Sequence, residues 1–322
     1  MASEQPIIIA TRGSALALAQ ANLIAEQCRK TFAHLQFELK IITTTGDKMQ
    51  TASLAKVGES LPKGLFTKEL EIALLNGQAD LAVHSLKDLP TELPDGLMLA
   101  ATPERADVRD VLIYRESGST VRGFLPHIKI EDFPSGAIIA TSSTRRKMSL
   151  LAARADLSIV EIRGNVPTRL QKIVGRDEFD ATVLALAGLT RLNFEIKSDG
   201  KLVGAAVPEG LLATILDLEV MLPCVGQGAI GIEIRTHDER IAKLCERLNH
   251  FATFQCVTAE RAFLSAMGGG CQSPVGAYAE VVGDQIQMRA VSFHQVVVRN
   301  AEAKRPLAEA VALGEELAEQ LK

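Results

Sequence analysis

Short apolar runs alternate with helix-patterned segments along most of this chain, and the cycle runs twice. Ile7-Ile8-Ile9-Ala10 has the composition of a buried strand, and Thr11-Arg12-Gly13-Ser14 turns from it into an Ala/Leu-rich helix reaching about Thr31. Residues 37–43 read as a second strand, 64–75 as a helix closed by Asn76-Gly77, and 80–84 as a third strand, which delivers Ser85-Leu86-Lys87-Asp88 at its carboxyl end. A charged, turn-rich connector near residues 102–110 precedes the restart. Strands are then predicted at 137–141, 158–162 and 180–184, with one helix beginning near Thr144 behind a Ser142-Ser143 cap and another over 166–174. Strands alternating with helices predict parallel sheets clad on both faces, so the fold class is α/β with two similar, doubly wound lobes.

Val225-Gly226-Gln227-Gly228-Ala229 leads into residues 230–234, a strand expected to return to the first sheet. From about Phe251 the pattern changes to helix, glycine loop, a hairpin turning near Gly283-Asp284 and a terminal helix from Pro306, which predicts a small α+β unit. The expected domains are therefore 1–103 with 226–248, then 104–225, then 249–322. In the last of these, Phe254, Val257, Ala262, Phe263 and Met267 recur at helical spacing, and Gly268-Gly269-Gly270-Cys271-Gln272-Ser273-Pro274 hangs from the end of that helix. Three glycines let backbone and thiol stand clear of packed structure. The same residues also suit a helix C-cap followed by an ordinary core cysteine, so on their own they leave both readings open.

Length and charge narrow the classes further. At 322 residues the chain exceeds one typical core. It has no uninterrupted apolar stretch of about 18 residues, and residues 1–6 are too short and polar for a signal sequence. A cytoplasmic protein with no membrane partner is expected, or a plastid one if a transit peptide has been removed. The net charge of −4 argues against indiscriminate nucleic-acid binding, so anion recognition has to come from local cationic clusters. Cys28, Cys224, Cys245, Cys256 and Cys271 contain no Cys-x-x-Cys pair, which argues against a disulfide framework and against a metal site.

Such clusters exist. Doubly wound sheets hold ligands beyond the carboxyl ends of their strands, and those ends carry Arg12, Ser14, Lys87, Asp88, Ser142, Ser143, Arg145, Arg146 and Arg163, with Arg169 and Arg191 nearby. A single surface arginine usually sits in an ion pair contributing ~0–1 kcal/mol. This many at strand ends, with hydroxyl-capped helix starts beside them, point instead to a ligand bearing several carboxylates. Asp88, beside Lys87 at that cationic edge, reads equally as a turn aspartate ahead of Pro90 and as a carboxylate for acid–base or cation-stabilising chemistry. Thr43-Thr44-Thr45-Gly46-Asp47 and Val225-Gly226-Gln227-Gly228-Ala229 resemble anion-cradling loops without being Walker motifs, and His84 reads as a core strand residue.

Ala10-Thr11-Arg12-Gly13-Ser14, Val83-His84-Ser85-Leu86-Lys87-Asp88, Thr141-Ser142-Ser143-Thr144-Arg145-Arg146, Arg163-Gly164-Asn165-Val166 and Gly269-Gly270-Cys271-Gln272, taken together and in order, closely resemble the porphobilinogen deaminase (hydroxymethylbilane synthase) family. Gly64-Leu65-Phe66-Thr67-Lys68-Glu69-Leu70, Ala187-Gly188-Leu189 and Ala259-Glu260-Arg261-Ala262 look like family segments too, so the match spans nearly the whole chain. The resemblance implies lobes similar to type II periplasmic-binding-protein domains and a monomeric transferase of tetrapyrrole biosynthesis. It implies that Cys271 anchors one dipyrromethane cofactor through a thioether, as primer for four porphobilinogen units released as hydroxymethylbilane. Asp88 would assist loss of ammonia, stabilise the resulting azafulvene-like cation and help the later deprotonation. Ser85, Lys87, Thr141, Ser142, Ser143, Gly164, Arg145, Arg146 and Arg169 would hold the cofactor. Arg12, Ser14, Arg163, Arg191 and Gln227 would hold substrate and growing chain, and Lys63 and Phe66 would belong to a lid.

Three departures stand out. Glu59-Ser60-Leu61-Pro62 makes the connection before Lys63 a few residues longer than usual in the family, Gly268 replaces an acidic residue, and Cys224 occupies a position usually small and unreactive. The lobes alone would also fit a non-catalytic anion-binding protein, and a phosphate-handling transferase would need the P-loop that is missing here.

Overall fold

The computed structural model describes residues 5–47, 64–118, 122–270, 273–295 and 297–322. Lys63 and Cys271 lie outside them, as does the Glu59 to Pro62 insertion. The first lobe is a five-stranded sheet of β1 (Ile7–Arg12), β2 (Phe37–Ile42), β3 (Leu81–Ser85), β4 (Leu97–Ala101) and the distant β12 (Ile230–Arg235), in the order β2-β1-β3-β12-β4. β1 runs parallel to both β2 and β3, but β12 is antiparallel to β3 and to β4. The sheet is thus mixed rather than all parallel. Its cause lies in the connection: β12 enters from the second lobe with Ile230 opposite Ser85, at the carboxyl edge of β3, and has to run back against it.

The second lobe repeats the plan with β5 (Asp110–Arg115), β6 (Ile138–Ala140), β7 (Ser158–Val160), β8 (Ala181–Ala185) and β11 (Leu211–Ile215), in the order β11-β5-β8-β6-β7. Parallel pairing joins β6 to β7 and β8, while β5 and β11 are antiparallel additions. A two-stranded ribbon, β9 (Glu195–Ile196) with β10 (Leu202–Val203), flanks it. Helices α1 (Ala15–Thr31) and α2 (Lys68–Leu75) clothe the first sheet, and α3 (Thr144–Ala153), α4 (Val166–Gly175) and α5 (Leu186–Arg191) the second. The predicted helix over 64–75 begins only at Lys68, because Gly64 adopts φ +74 and the chain turns there first.

Ile9, Ile24, Val83 and Ile232 pack the first lobe, with α6 (Glu239–Leu248) laid against it through Leu244 and Cys245. Val111, Ile113, Leu170 and Ile173 pack the second. Full burial of such side chains stabilises the fold by roughly 1.5–3 kcal/mol each.

The third unit is an antiparallel sheet of β13 (Val275–Val282), β14 (Gln285–Ser292) and β15 (Arg299–Pro306), covered by α7 (Phe251–Ala266) and α8 (Ala310–Leu321). A Cβ at Gly314 would stand 2.2 Å from the Ala259 carbonyl oxygen, so glycine is what lets α8 lie directly on α7. Glu260 ties this unit to the lobes. Fully buried on α7, it accepts both outer nitrogens of Arg105 at 2.6 and 2.9 Å, the Gly226 N–H at 2.8 Å and the Ala279 N–H at 3.0 Å. No helix among the described residues is long and apolar enough to cross a membrane.

Candidate active site

β3 ends at Ser85 and the chain makes one 3-10 turn, Leu86–Asp88. Leu86 is buried and its N–H donates to the Ala229 carbonyl, which pins the turn and sends Lys87 and Asp88 outward. Gly226, at φ +71, presses on the same turn: a Cβ there would sit 3.2 Å from the Lys87 nitrogen. Asp88 is exposed, and among the described residues neither its carboxylate nor the Lys87 ammonium has a hydrogen-bond or ion-pair partner.

Asp88 lines three adjoining cavities. The smallest, about 50 Å³, also has Arg12, Ser14, Phe66 and Ser85 in its wall. One of about 250 Å³ is lined by Lys87, Ser142, Ser143, Arg145, Arg146, Arg169, Gln227 and Gly270, and one of about 490 Å³ by Gly64, Lys87, Leu264 and Gly268 to Gly270. Ser273 lines the second cavity as Gly270 does, so chain on either side of Cys271 reaches it.

In the first lobe, Ser14 caps α1 by accepting the Ala17 N–H, and Ser85 exchanges hydrogen bonds with Gln20. Arg12 pairs with Asp47, and its guanidinium lies 4.2 Å from the centre of the Phe66 ring, a cation–π contact. In the second lobe, Ser143 caps α3 by accepting the Arg146 N–H, Thr141 accepts the Ser143 N–H, and Ser142 donates to the Ile162 carbonyl at 2.7 Å.

That cap sets Arg145 and Arg146 on the first turn of α3, where both reach Asp110 at the start of β5. Arg145 Nη2 donates to Asp110 Oδ2 at 2.8 Å and Arg146 Nη2 to Oδ1 at 2.7 Å, while Gln227 Nε2 adds a third contact at 3.0 Å. All four side chains are buried. Burial works against the Asp110 charge, yet the two guanidinium groups outweigh it and hold the carboxyl at about 2. Two cations against one anion leave this wall of the cleft one positive charge in surplus, and Arg145 Nε is buried with no partner.

Arg169 donates through Nε to the Gly164 carbonyl at 2.8 Å, and Arg191 through Nη2 to the Gly228 carbonyl at 2.6 Å. Among the described residues neither is paired with a carboxylate. Desolvation pulls both down to about 10, so each remains a cation at neutral pH. Gly164 needs its φ of +116, and a Cβ there would meet Thr168 at 2.7 Å. Arg191 lines none of the three cavities but reaches across to the first lobe. Arg163 also lines none of them and makes an exposed ion pair with Glu161 at 3.1 Å.

Sequence reasoning did not single out Asp110, Gln20 or Glu260. Asp110 heads an apolar run, Val111-Leu112-Ile113-Tyr114, and nothing local tells a buried, paired acid from a turn residue. His84 is buried as expected, with Nε2 3.0 Å from Glu233 Oε2. Among the described residues, no three His, Cys, Asp or Glu side chains are placed to hold a metal ion.

A family model described as porphobilinogen deaminase, dipyromethane cofactor binding domain, matches residues 7–243. A second, described as porphobilinogen deaminase, C-terminal domain, matches residues 254–322. The chain belongs to the porphobilinogen deaminase family. A porphobilinogen deaminase of Carboxydothermus hydrogenoformans is 41% identical over 320 residues, covering 99% of this chain and 94% of its own length. One from Shouchella clausii is 44% identical over 278 residues, covering 86% and 81%. Among solved structures, the probable amino-acid ABC transporter extracellular-binding protein ytmK of Bacillus subtilis superimposes with a TM-score of 0.40 at 12% identity, over 76% of this chain and 90% of its own.

The cofactor named by that family model fits the cleft. A dipyrromethane with acetate and propionate arms needs several cations without acids of their own. Lys87, Arg169 and the partnerless Nε of Arg145 answer to that need, and among the described residues Asp88 is the one acid in the lining of the second cavity.

Proposed function

We propose that this chain is a hydroxymethylbilane synthase, which joins four porphobilinogen molecules head to tail on a dipyrromethane primer, releases four ammonia and frees hydroxymethylbilane by hydrolysis. The observation that carries this reading is the unpartnered Asp88 carboxylate where three cavities meet, faced by cations that have no acid of their own.

Cys271 carries the primer as a thioether; its neighbours Gly270 and Ser273 line the cleft. A thioether has no carbonyl for water to attack, so product can be hydrolysed away while the primer stays attached. When bound, the dipyrromethane supplies the pyrrole carbon onto which the first substrate ring is joined. Ser142, Ser143, Arg145 and Arg169 hold its carboxylates from the second lobe, with Lys87 opposite. Ser85, Thr141, Gly164 and Arg146 shape that wall through their bonds to Gln20, Ser143, Arg169 and Asp110.

Asp88 stabilises the positive charge that develops on the substrate as its amino group departs as ammonia. The same carboxylate then accepts the ring proton released once the carbon–carbon bond has formed, and passes it to solvent, to which it is exposed. Arg12 and Ser14 hold the incoming ring's carboxylates at the first-lobe side, where Phe66 stacks on the Arg12 guanidinium, and Arg191 and Gln227 fix the two lobes relative to one another around it. Arg163 acts on the longer chain from outside the three cavities. We place the protein in the cytoplasm as a monomer.

Porphobilinogen consumption by purified wild type and Asp88→Ala tests the reading. It predicts turnover by the wild type and a loss of about 10²-fold or more in the variant, the usual effect of removing an acid–base group. Near-normal turnover by Asp88→Ala would remove the carboxylate from the mechanism.

A further inference from the structure

Of the four described cysteines, one differs from the other three. Cys28, Cys245 and Cys256 are buried in the hydrophobic cores, and desolvation pushes their thiols up to about 12. Cys224 is partly exposed and lines the same cavity as Lys87, Asp88 and Arg169. Its Sγ donates to Gln227 Oε1 at 3.4 Å, and Gln227 Nε2 donates onward to Asp110. The thiol is thus wired through one amide to the carboxylate that grips Arg145 and Arg146. It also lies beside the Arg145 guanidinium, close enough to favour that cation. Arg145 is only 3% exposed, donates its Nη1 to the Leu222 carbonyl and its Nη2 to Asp110, and keeps its Nε–H without a partner in this wall.

We infer that Cys224 is an oxidant-sensitive modification site, whose conversion to the sulfenic acid by hydrogen peroxide disables the anion-binding wall of the cleft. Reactive cysteines sit partly exposed beside fixed cations, which stabilise the attacking sulfur anion. Cys224 sulfur attacks the outer oxygen of the peroxide; the S–O bond forms and the O–O bond breaks. Sulfur is oxidised by two electrons, and the peroxide is reduced to hydroxide, which takes the thiol proton and leaves as water. The new S–O group hydrogen-bonds the spare Arg145 Nε–H and loses the S–H donor to Gln227. It occupies, from within the protein, a contact meant for a carboxylate. A thiol reductant reverses the change.

The effect on turnover rests on the function proposed above, but the modification itself does not. Holoenzyme and a Cys224→Ser variant, in which the hydroxyl keeps a donor for Gln227, are treated with hydrogen peroxide and dimedone, and each cysteine-bearing peptide is weighed. The wild type is expected to carry a dimedone adduct on the Cys224 peptide and none on those of Cys28, Cys245 and Cys256. In a parallel sample without dimedone, turnover should fall about tenfold, the loss of one hydrogen bond to a charged group, and return with dithiothreitol. Cys224→Ser should keep its own untreated rate. A Cys224 peptide without adduct, or an equal loss of turnover in Cys224→Ser, would overturn the inference. Because the wild-type labelling needs no variant, a serine variant that fails to fold leaves the labelling result decisive. An adduct on the Cys271 peptide would count against the thioether anchor alone, since the Cys224 peptide is read separately.

Discussion

Asp88 and Asp110 border one cleft and have opposite surroundings. Asp110 is fully buried, is held by two guanidinium groups and an amide, and is thereby pulled down to about 2. Asp88 is exposed and has no partner among the described residues. A carboxylate whose charge is neutralised inside the protein cannot be given to a ligand, so Asp110 serves to place Arg145 and Arg146. A carboxylate left open beside Lys87 can meet the charge that forms on a substrate. The arginines divide in the same way. Arg145 and Arg146 are held by an acid, while Arg169 and Arg191 hold only backbone carbonyls and keep their charge for something else.

Replacement of the two aspartates separates those roles most sharply. Asp88→Asn is expected to lower turnover by about 10²–10⁴-fold with an unchanged denaturant midpoint, since no bond in the fold is lost. A shifted midpoint would mean that Asp88 is structural after all. Asp110→Ala is expected to do the reverse, destabilising by about 3–5 kcal/mol because two buried guanidinium groups lose their counter-ion. Urea unfolding checks this, and a change under about 1 kcal/mol would show that the cluster is not the strut described here.

Acid acts on the buried carboxylate's pairing directly. The folded-state value of Asp110 lies below that of the unfolded chain, so its stabilisation is complete above pH ~4, is lost as pH falls towards 2, and amounts to about 2 kcal/mol. Urea midpoints across that window should fall more steeply for wild type than for Asp110→Asn; parallel curves would contradict the pairing. Arg169→Ala should have the smallest effect. It is expected to weaken retention of the carboxylate-bearing ligand about tenfold with stability nearly intact, as its Nε–H bonds only one backbone carbonyl. Titration with porphobilinogen checks the first part and thermal melting the second.

What could be read from the amino-acid sequence follows from range. Lys87 and Asp88 adjoin each other at a strand end, and Ser143 caps the helix that immediately follows it, so local pattern exposes them. Asp110 meets Arg145 and Arg146 across 35 and 36 residues, a contact that only the folded sheet creates. Four of the antiparallel strands were hidden for related reasons. β4, β5 and β11 have no helix alternating with them, and β15, Arg299–Pro306, packs only Ala301 and Ala303 against the core among charged neighbours, so it shows no apolar run. The strand return at β12 was legible because the glycine loop before it announces a turn, but its direction was not, since that depends on the edge at which the chain arrives.

On the proposed function, the unpaired cations of the cleft hold a primer anchored at Cys271. Intact mass of the purified protein, measured beside Cys271→Ser and compared with the mass calculated from each sequence, tests it directly. An excess equal to two linked pyrroles in the wild type alone is the predicted result. An unmodified wild type that stays unmodified after incubation with porphobilinogen would contradict it.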